Sequence, residues 1–217
     1  MEPDSRSILE KLELLLNTLN HMLIGFVSIY MTWYGLSHNL SSVPLHAWLC
    51  TIGYQFLMAE AIMCFYSGNA WTSLLSTRGK RHIHWVLQVL GSGLALAGFI
   101  IIVVHVTGEH FTSIHGILGL VSTIFLLINL AMGLAAFFSI KLRNLIKPII
   151  SKTLHVFLGL TGFVLGMVTL YYGIIKLKRS VDETFVTMLA VFSLITLVLS
   201  SIGTLKTLFR NLVNCCN

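Results

Sequence analysis

Charge is what this chain has least of. Only 10% of its 217 residues are Asp, Glu, Lys or Arg, against about 25% in soluble domains. That excludes an ordinary water-soluble fold. Cysteine is scarce too, four in all. Cys50 and Cys64 share one apolar stretch and Cys215 and Cys216 end the chain as NCCN, so there is neither zinc spacing nor a disulfide framework. The terminal pair is a candidate for acylation beside a last membrane span, against the plainer reading of a reduced tail. No signal peptide is expected, because Glu2, Asp4, Glu10 and Glu13 do not suit its basic leading region. No motif for hydrolysis or phosphoryl transfer, soluble domain or low-complexity segment is visible.

What is present is apolar: 56% of residues are hydrophobic. The stretch KRHIHWVLQVLGSGLALAGFIIIVVHV (80–106) is long enough to cross a bilayer, which takes about 20 residues at about 1.5 Å each. Six such stretches occur, near 19–38, 46–67, 84–106, 115–138, 153–174 and 184–207, with Pro44 marking a helix start. The expectation is an all-α membrane protein of six transmembrane helices. Eleven of the 14 basic residues fall on the side shared by both termini and the second and fourth loops: Arg6, Lys11, Arg78, Lys80, Arg81, Lys141, Arg143, Lys147, Lys152, Lys206 and Arg210. The positive-inside rule makes that side cytosolic. The net charge of +6 therefore reads as topology rather than as nucleic-acid binding. Trp33, Trp48, Trp71 and Trp85 fall near span ends, as an aromatic belt does.

Histidine is the unexpected residue. His46 and His115 open spans two and four, which run outside to inside; His84 and His155 open spans three and five, which run the other way. Only His46 with His115, and His84 with His155, share a depth, and each pair comes from two helices. Neutral imidazole is a good iron ligand and bundle interiors house cofactors. Zinc normally takes four protein ligands, so two histidines without a nearby cysteine or acid fit the axial positions of a haem better. Small residues line the same faces: His155, Gly159, Gly162 and Gly166 on span five; His115, Gly119, Ser122, Leu126, Asn129 and Gly133 on span four; His46, Cys50, Gly53, Leu57, Glu60 and Cys64 on span two. They read as room for a flat macrocycle, or as close helix packing. Glu60 lies 14 residues beyond His46, and Asn129 lies 14 beyond His115. Both are expected near the inner pair, Glu60 either as a hydrogen-bonding or proton-accepting neighbour of the inner haem or as a structural hydrogen bond.

With FLMAEA (56–61), HWVLQ (84–88) and RNLIKPIISKTLH ending at His155, the chain resembles the cytochrome b561 family of transmembrane di-haem electron carriers, in its short two-haem transmembrane reductase branch. The resemblance implies two haem b groups in a four-helix core of spans two to five, flanked by spans one and six. His46 and His115 would hold the non-cytosolic haem iron, and His84 and His155 the cytosolic one. It divides the chain into a cytosolic segment (1–18), a six-span domain (19–207) and a cytosolic tail (208–217). It implies an oxidoreductase carrying electrons from cytosolic ascorbate to a non-cytosolic monodehydroascorbate or ferric chelate, in an endomembrane or the plasma membrane, with a homodimer left open. The chain departs from the ascorbate-recycling members in AIMCFYSGN, which lacks their arginine motif, and in SIHGILG, which lacks their tryptophan.

Arg78, Lys80, Arg81, Lys147 and Lys152 are candidates for contact with the ascorbate anion, or simply for orienting the chain. His105 and His110 are candidates for the outer acceptor site, or satisfied interfacial rings, and His21, His38 and His82 read as the latter. The competing functions are a six-span transporter or channel using histidines as transient metal ligands, and a haem-free membrane scaffold.

Overall fold

The computed structural model describes residues 7–216; Arg6 and the side chains of Cys215 and Cys216 lie outside the described residues. The fold is all-α. In chain order it comprises α1 (Ile8–Ser37), α2 (Ser42–Thr51), a π-helical stretch (Ile52–Met58), α3 (Ala59–Met63), α4 (Thr77–His105), α5 (Ile114–Phe137), α6 (Pro148–Ile175), a 3-10 turn (Lys176–Arg179) and α7 (Glu183–Cys216). By length and composition α1, α4, α5, α6 with its 3-10 turn, and α7 each suffice to cross a membrane. Where a second span is expected, the chain forms a helical run from Ser42 to Met63, which changes from α to π geometry in its middle.

Local chemistry sets the helix starts. Ser7 and Glu10 form a capping box, with Ser7 Oγ accepting from the Glu10 amide at 3.2 Å and the Ser7 amide donating to Glu10 Oε2 at 2.8 Å, which satisfies two otherwise orphaned donors. α1 consequently begins well before the apolar stretch that announces it. Ser76 and Ser113 cap α4 and α5 through the Gly79 and Gly116 amides, each at 3.2 Å. Pro148 opens α6, where its missing N–H costs nothing.

Two antiparallel hairpins carry the site. The first pairs Ser42–Met63 with α4, and the second pairs α5 with α6. Backbones nearly touch in the first: a methyl on Gly53 would lie 2.7 Å from the Gly91 carbonyl oxygen. The hairpins touch each other far less than the helices within them, and α5 is the least buried long helix. The packed core lies elsewhere, where Ile24, Val27 and Met31 of α1 and Leu189 of α7 meet Tyr54, Met58, Met167 and Leu170. Asn20 Nδ2 donates to Ser200 Oγ at 2.9 Å and Lys206 Nζ to Glu13 at 3.3 Å. The start of α1 and the end of α7 thus share one end of the bundle, the terminal end; the opposite end is the far end.

Candidate functional site

The four histidines expected in pairs are found in pairs. The ring centres of His46 and His115 are 6.0 Å apart with planes at 79°, and those of His84 and His155 are 6.1 Å apart at 86°. His84 and His155 begin helices at the terminal end; His46 and His115 begin helices at the far end. Each pair spans the two hairpins, across the sparse contact between them.

Three of the four rings are held by the partner helix of their own hairpin. His46 Nδ1 lies 2.9 Å from the Gly98 carbonyl oxygen, His84 Nδ1 2.8 Å from that of Ala61, and His115 Nδ1 3.0 Å from that of Thr169. A carbonyl only accepts, so these Nδ1 atoms carry the proton, and the neutral tautomer leaves its lone pair on Nε2. His155 Nδ1 is turned toward the Asn129 carbonyl without closing a hydrogen bond, and is buried without another partner.

The spacings form an internal repeat. Gly98 is 14 residues beyond His84, Thr169 is 14 beyond His155, and Asn129 is 14 beyond His115. Ala61 is 15 beyond His46, and the π-helical stretch lies between them. An i→i+5 turn holds more residues than an α turn, so the bulge takes up the odd residue and keeps Ala61 at the level of His84.

The bulge also explains where Glu60 goes. A wheel drawn at 3.6 residues per turn puts Glu60 on the histidine face, but its hydrogen bonds run to other elements. Glu60 Oε1 is 2.7 Å from His21 Nδ1 on α1, and Oε2 accepts from Trp71 Nε1 at 2.9 Å. His21 Nε2 lies 3.1 Å from Asn69 Oδ1, so both ring nitrogens face oxygen acceptors, the pattern of a doubly protonated ring beside a carboxylate. His21, read from the sequence as an interfacial ring, is thus the partner of the buried acid. The signal was there in α1, where Asn17, Asn20 and His21 form one polar face on an apolar span. Asn129 does lie at the terminal-end pair, through its carbonyl; its side chain packs on Gly159, and its Oδ1 is buried without a partner.

The glycine strip on α6 is covered by protein. A methyl on Gly159 would meet the Asn129 amide, on Gly162 the Phe125 Cβ, and on Gly166 the Tyr54 ring. The glycines that serve the histidines are two others. A methyl on Gly173 would lie 2.9 Å from His115 Cε1, and one on Gly133 would lie 3.3 Å from His155 Cε1, so each ring of the second hairpin rests on a glycine of its neighbour helix.

Arg78, Arg81, Lys147 and Lys152 are exposed and Lys80 half-buried, on the segments that lead into His84 and His155. His105 and His110 are exposed at the far end; His105 Nδ1 bonds Ser42 Oγ at 2.9 Å and His110 packs on Phe111. Among the described residues no group of three or more His, Cys, Asp or Glu side chains gathers to hold a metal ion.

The eukaryotic cytochrome b561 family matches residues 45–180, the stretch holding all four paired histidines. The chain belongs to that family. The family is haem-binding generally. Among curated proteins, this b561 chain is similar to human "Transmembrane reductase CYB561D2", 29% identical over 143 residues, 64% of each chain. The bovine and mouse proteins of that name are each 29% identical over 136 residues, 61% of this chain and 60% of theirs. The chain therefore spans less than two thirds of the length of these relatives.

Proposed function

We propose that this protein moves single electrons across a membrane, from cytosolic ascorbate to a non-cytosolic monodehydroascorbate or ferric chelate, with one haem b held by each histidine pair. The relatives' name, transmembrane reductase, agrees with this reading. The observation that carries it is the spacing of the pairs. Two histidine rings that together held one metal, with nitrogen–metal bonds of about 2 Å and about 1 Å from each nitrogen to its ring centre, would have centres roughly 6 Å apart. The separations are 6.0 and 6.1 Å. Two protein ligands per site suit a cofactor that brings its own four, and each pair lies where the two hairpins touch only sparsely.

When bound, the haems supply reversible one-electron storage. The chain's own groups do the rest. The carbonyls of Gly98, Ala61 and Thr169 fix the ring tautomers, which orients and strengthens the ligands. Arg78, Lys80, Arg81, Lys147 and Lys152 gather an anionic donor at the terminal end, which the charge asymmetry assigns to the cytosol. The test is a redox difference spectrum with haem stoichiometry on purified protein. Two six-coordinate b-type centres per chain are expected; one centre, or none, overturns the reading.

Glu60 belongs to this reading through the backbone. It precedes Ala61, whose carbonyl holds His84. We expect Glu60→Gln to shift the midpoint potential of the terminal-end centre, or its pH dependence, more than that of the far-end centre. Glutamine keeps the size and one acceptor for Trp71, whereas alanine leaves the half-buried His21 without its carboxylate partner. Equal shifts at both centres in a redox titration would reduce the His21–Glu60 pair to a structural brace.

A further inference from the structure

At the far end one lysine is tied to the segment that carries His115. Lys176 opens the 3-10 turn after α6. Three residues earlier, Gly173 supports the His115 ring. At its head, Lys176 Nζ donates to Ser113 Oγ at 3.3 Å, and Ser113 caps the helix whose second residue is His115. Backbone and head group are thus both tied to the segment that carries His115. The side chain is exposed, so its charge faces solution. The other ionisable groups here are placed differently. Lys178 is paired with Glu183 at 2.8 Å, and Asp182 caps α7 by accepting from the Phe185 amide at 2.9 Å. Arg179 ends the turn and Glu109 lies in the preceding loop, both exposed.

We propose that Lys176 is the anion-docking residue of the far-end pair, holding a negatively charged one-electron acceptor beside His46 and His115 and favouring it over neutral or cationic acceptors. This rests on the electron-transfer reading above and adds the class of acceptor and the place it docks. The two candidate acceptors share that chemistry. A ferric chelate gains one electron and becomes the ferrous chelate; monodehydroascorbate gains one electron and one proton and becomes ascorbate monoanion. His105 and His110, candidates either for this site or for satisfied interfacial rings, contact Ser42 and Phe111.

The test uses haem-loaded protein in vesicles filled with ascorbate, comparing external ferric citrate with the cationic acceptor hexaammineruthenium(III). Lys176→Gln is expected to raise KM for ferric citrate about five-fold, and Lys176→Glu to raise it further while lowering KM for the cation, as electrostatic steering requires. The salt dependence of ferric citrate reduction flattens, because screening then has less attraction to remove. Lys178→Gln leaves both acceptors unchanged. Redox-silent gallium(III) citrate, followed by calorimetry on the solubilised protein, binds the parent protein and binds Lys176→Glu more weakly. Equal changes for both acceptors, or unchanged gallium citrate binding, overturn the docking role. Failure of the parent protein to reduce any external acceptor, with gallium citrate binding still dependent on Lys176, overturns the electron-transfer reading and leaves the docking role standing.

Discussion

Replacing His84 or His155 with alanine abolishes reduction of the protein by ascorbate supplied at the terminal side, while one b-type signal persists at close to its usual amplitude. The expectation follows from the separation of the two pairs. His155 and Thr169 lie on one uninterrupted helix, α6, and Thr169 is the residue whose carbonyl holds His115. Fourteen residues at 1.5 Å put the pairs about 21 Å apart along the axis. A lost ligand at one end therefore leaves the other end's rings, carbonyl acceptors and supporting glycine in place. The basic segments proposed to collect an anionic donor flank only the terminal-end pair. Difference spectra of each variant, with ascorbate and then with dithionite, check this. Disappearance of both signals in a protein that still folds, or full reduction by ascorbate, would separate His84 and His155 from the donor side.

Much of this was legible in the sequence because two regularities survive folding. A membrane span advertises itself by length and lack of charge, and a residue's depth follows from its place along the span. The pairing of His46 with His115 and of His84 with His155 needed nothing more. What the sequence hid was rotation about the helix axis. The π-helical stretch Ile52–Met58 puts any 3.6-residue wheel out of register beyond it, so Glu60 was expected on the histidine face and is found hydrogen-bonded to His21 and Trp71. The bulge leaves no composition signature in IGYQFLM. It shows only as the one spacing of 15 among four that are otherwise 14, and that comparison requires knowing which carbonyl each ring meets. The glycines misled for a related reason. Spacing shows that Gly159, Gly162 and Gly166 share a face, but only the packing shows that Asn129, Phe125 and Tyr54 already cover it. Lys176 lies outside the eleven basic residues of the terminal side, and its contact with Ser113, two residues before His115, depends on how the chain turns after α6.

The far-end pair supplies the second large effect. In vesicles loaded with ascorbate, His46→Ala or His115→Ala is expected to reduce external ferric chelate reduction to the background of the empty membrane, while the terminal-end centre still reduces. One centre near the terminal side cannot serve an acceptor across a hydrocarbon core of about 30 Å, and electron tunnelling falls exponentially with distance. On the proposed reading, a cofactor held by each pair, about 21 Å apart along the axis, would let an electron cross while neither substrate does. Gly173→Val tests the same end without removing a ligand. Even a methyl at that position would lie 2.9 Å from His115 Cε1, and a larger branched side chain must push the ring off the Thr169 carbonyl. Losing such an orienting contact typically weakens metal retention about 10–100-fold, so this variant should purify with the far-end signal depleted and the terminal-end signal intact. Gly25→Val is the matched control, because a methyl there meets nothing within 4 Å. External reduction that continues at the parental rate in His46→Ala, with the vesicles still tight, would take the far-end pair off the electron path.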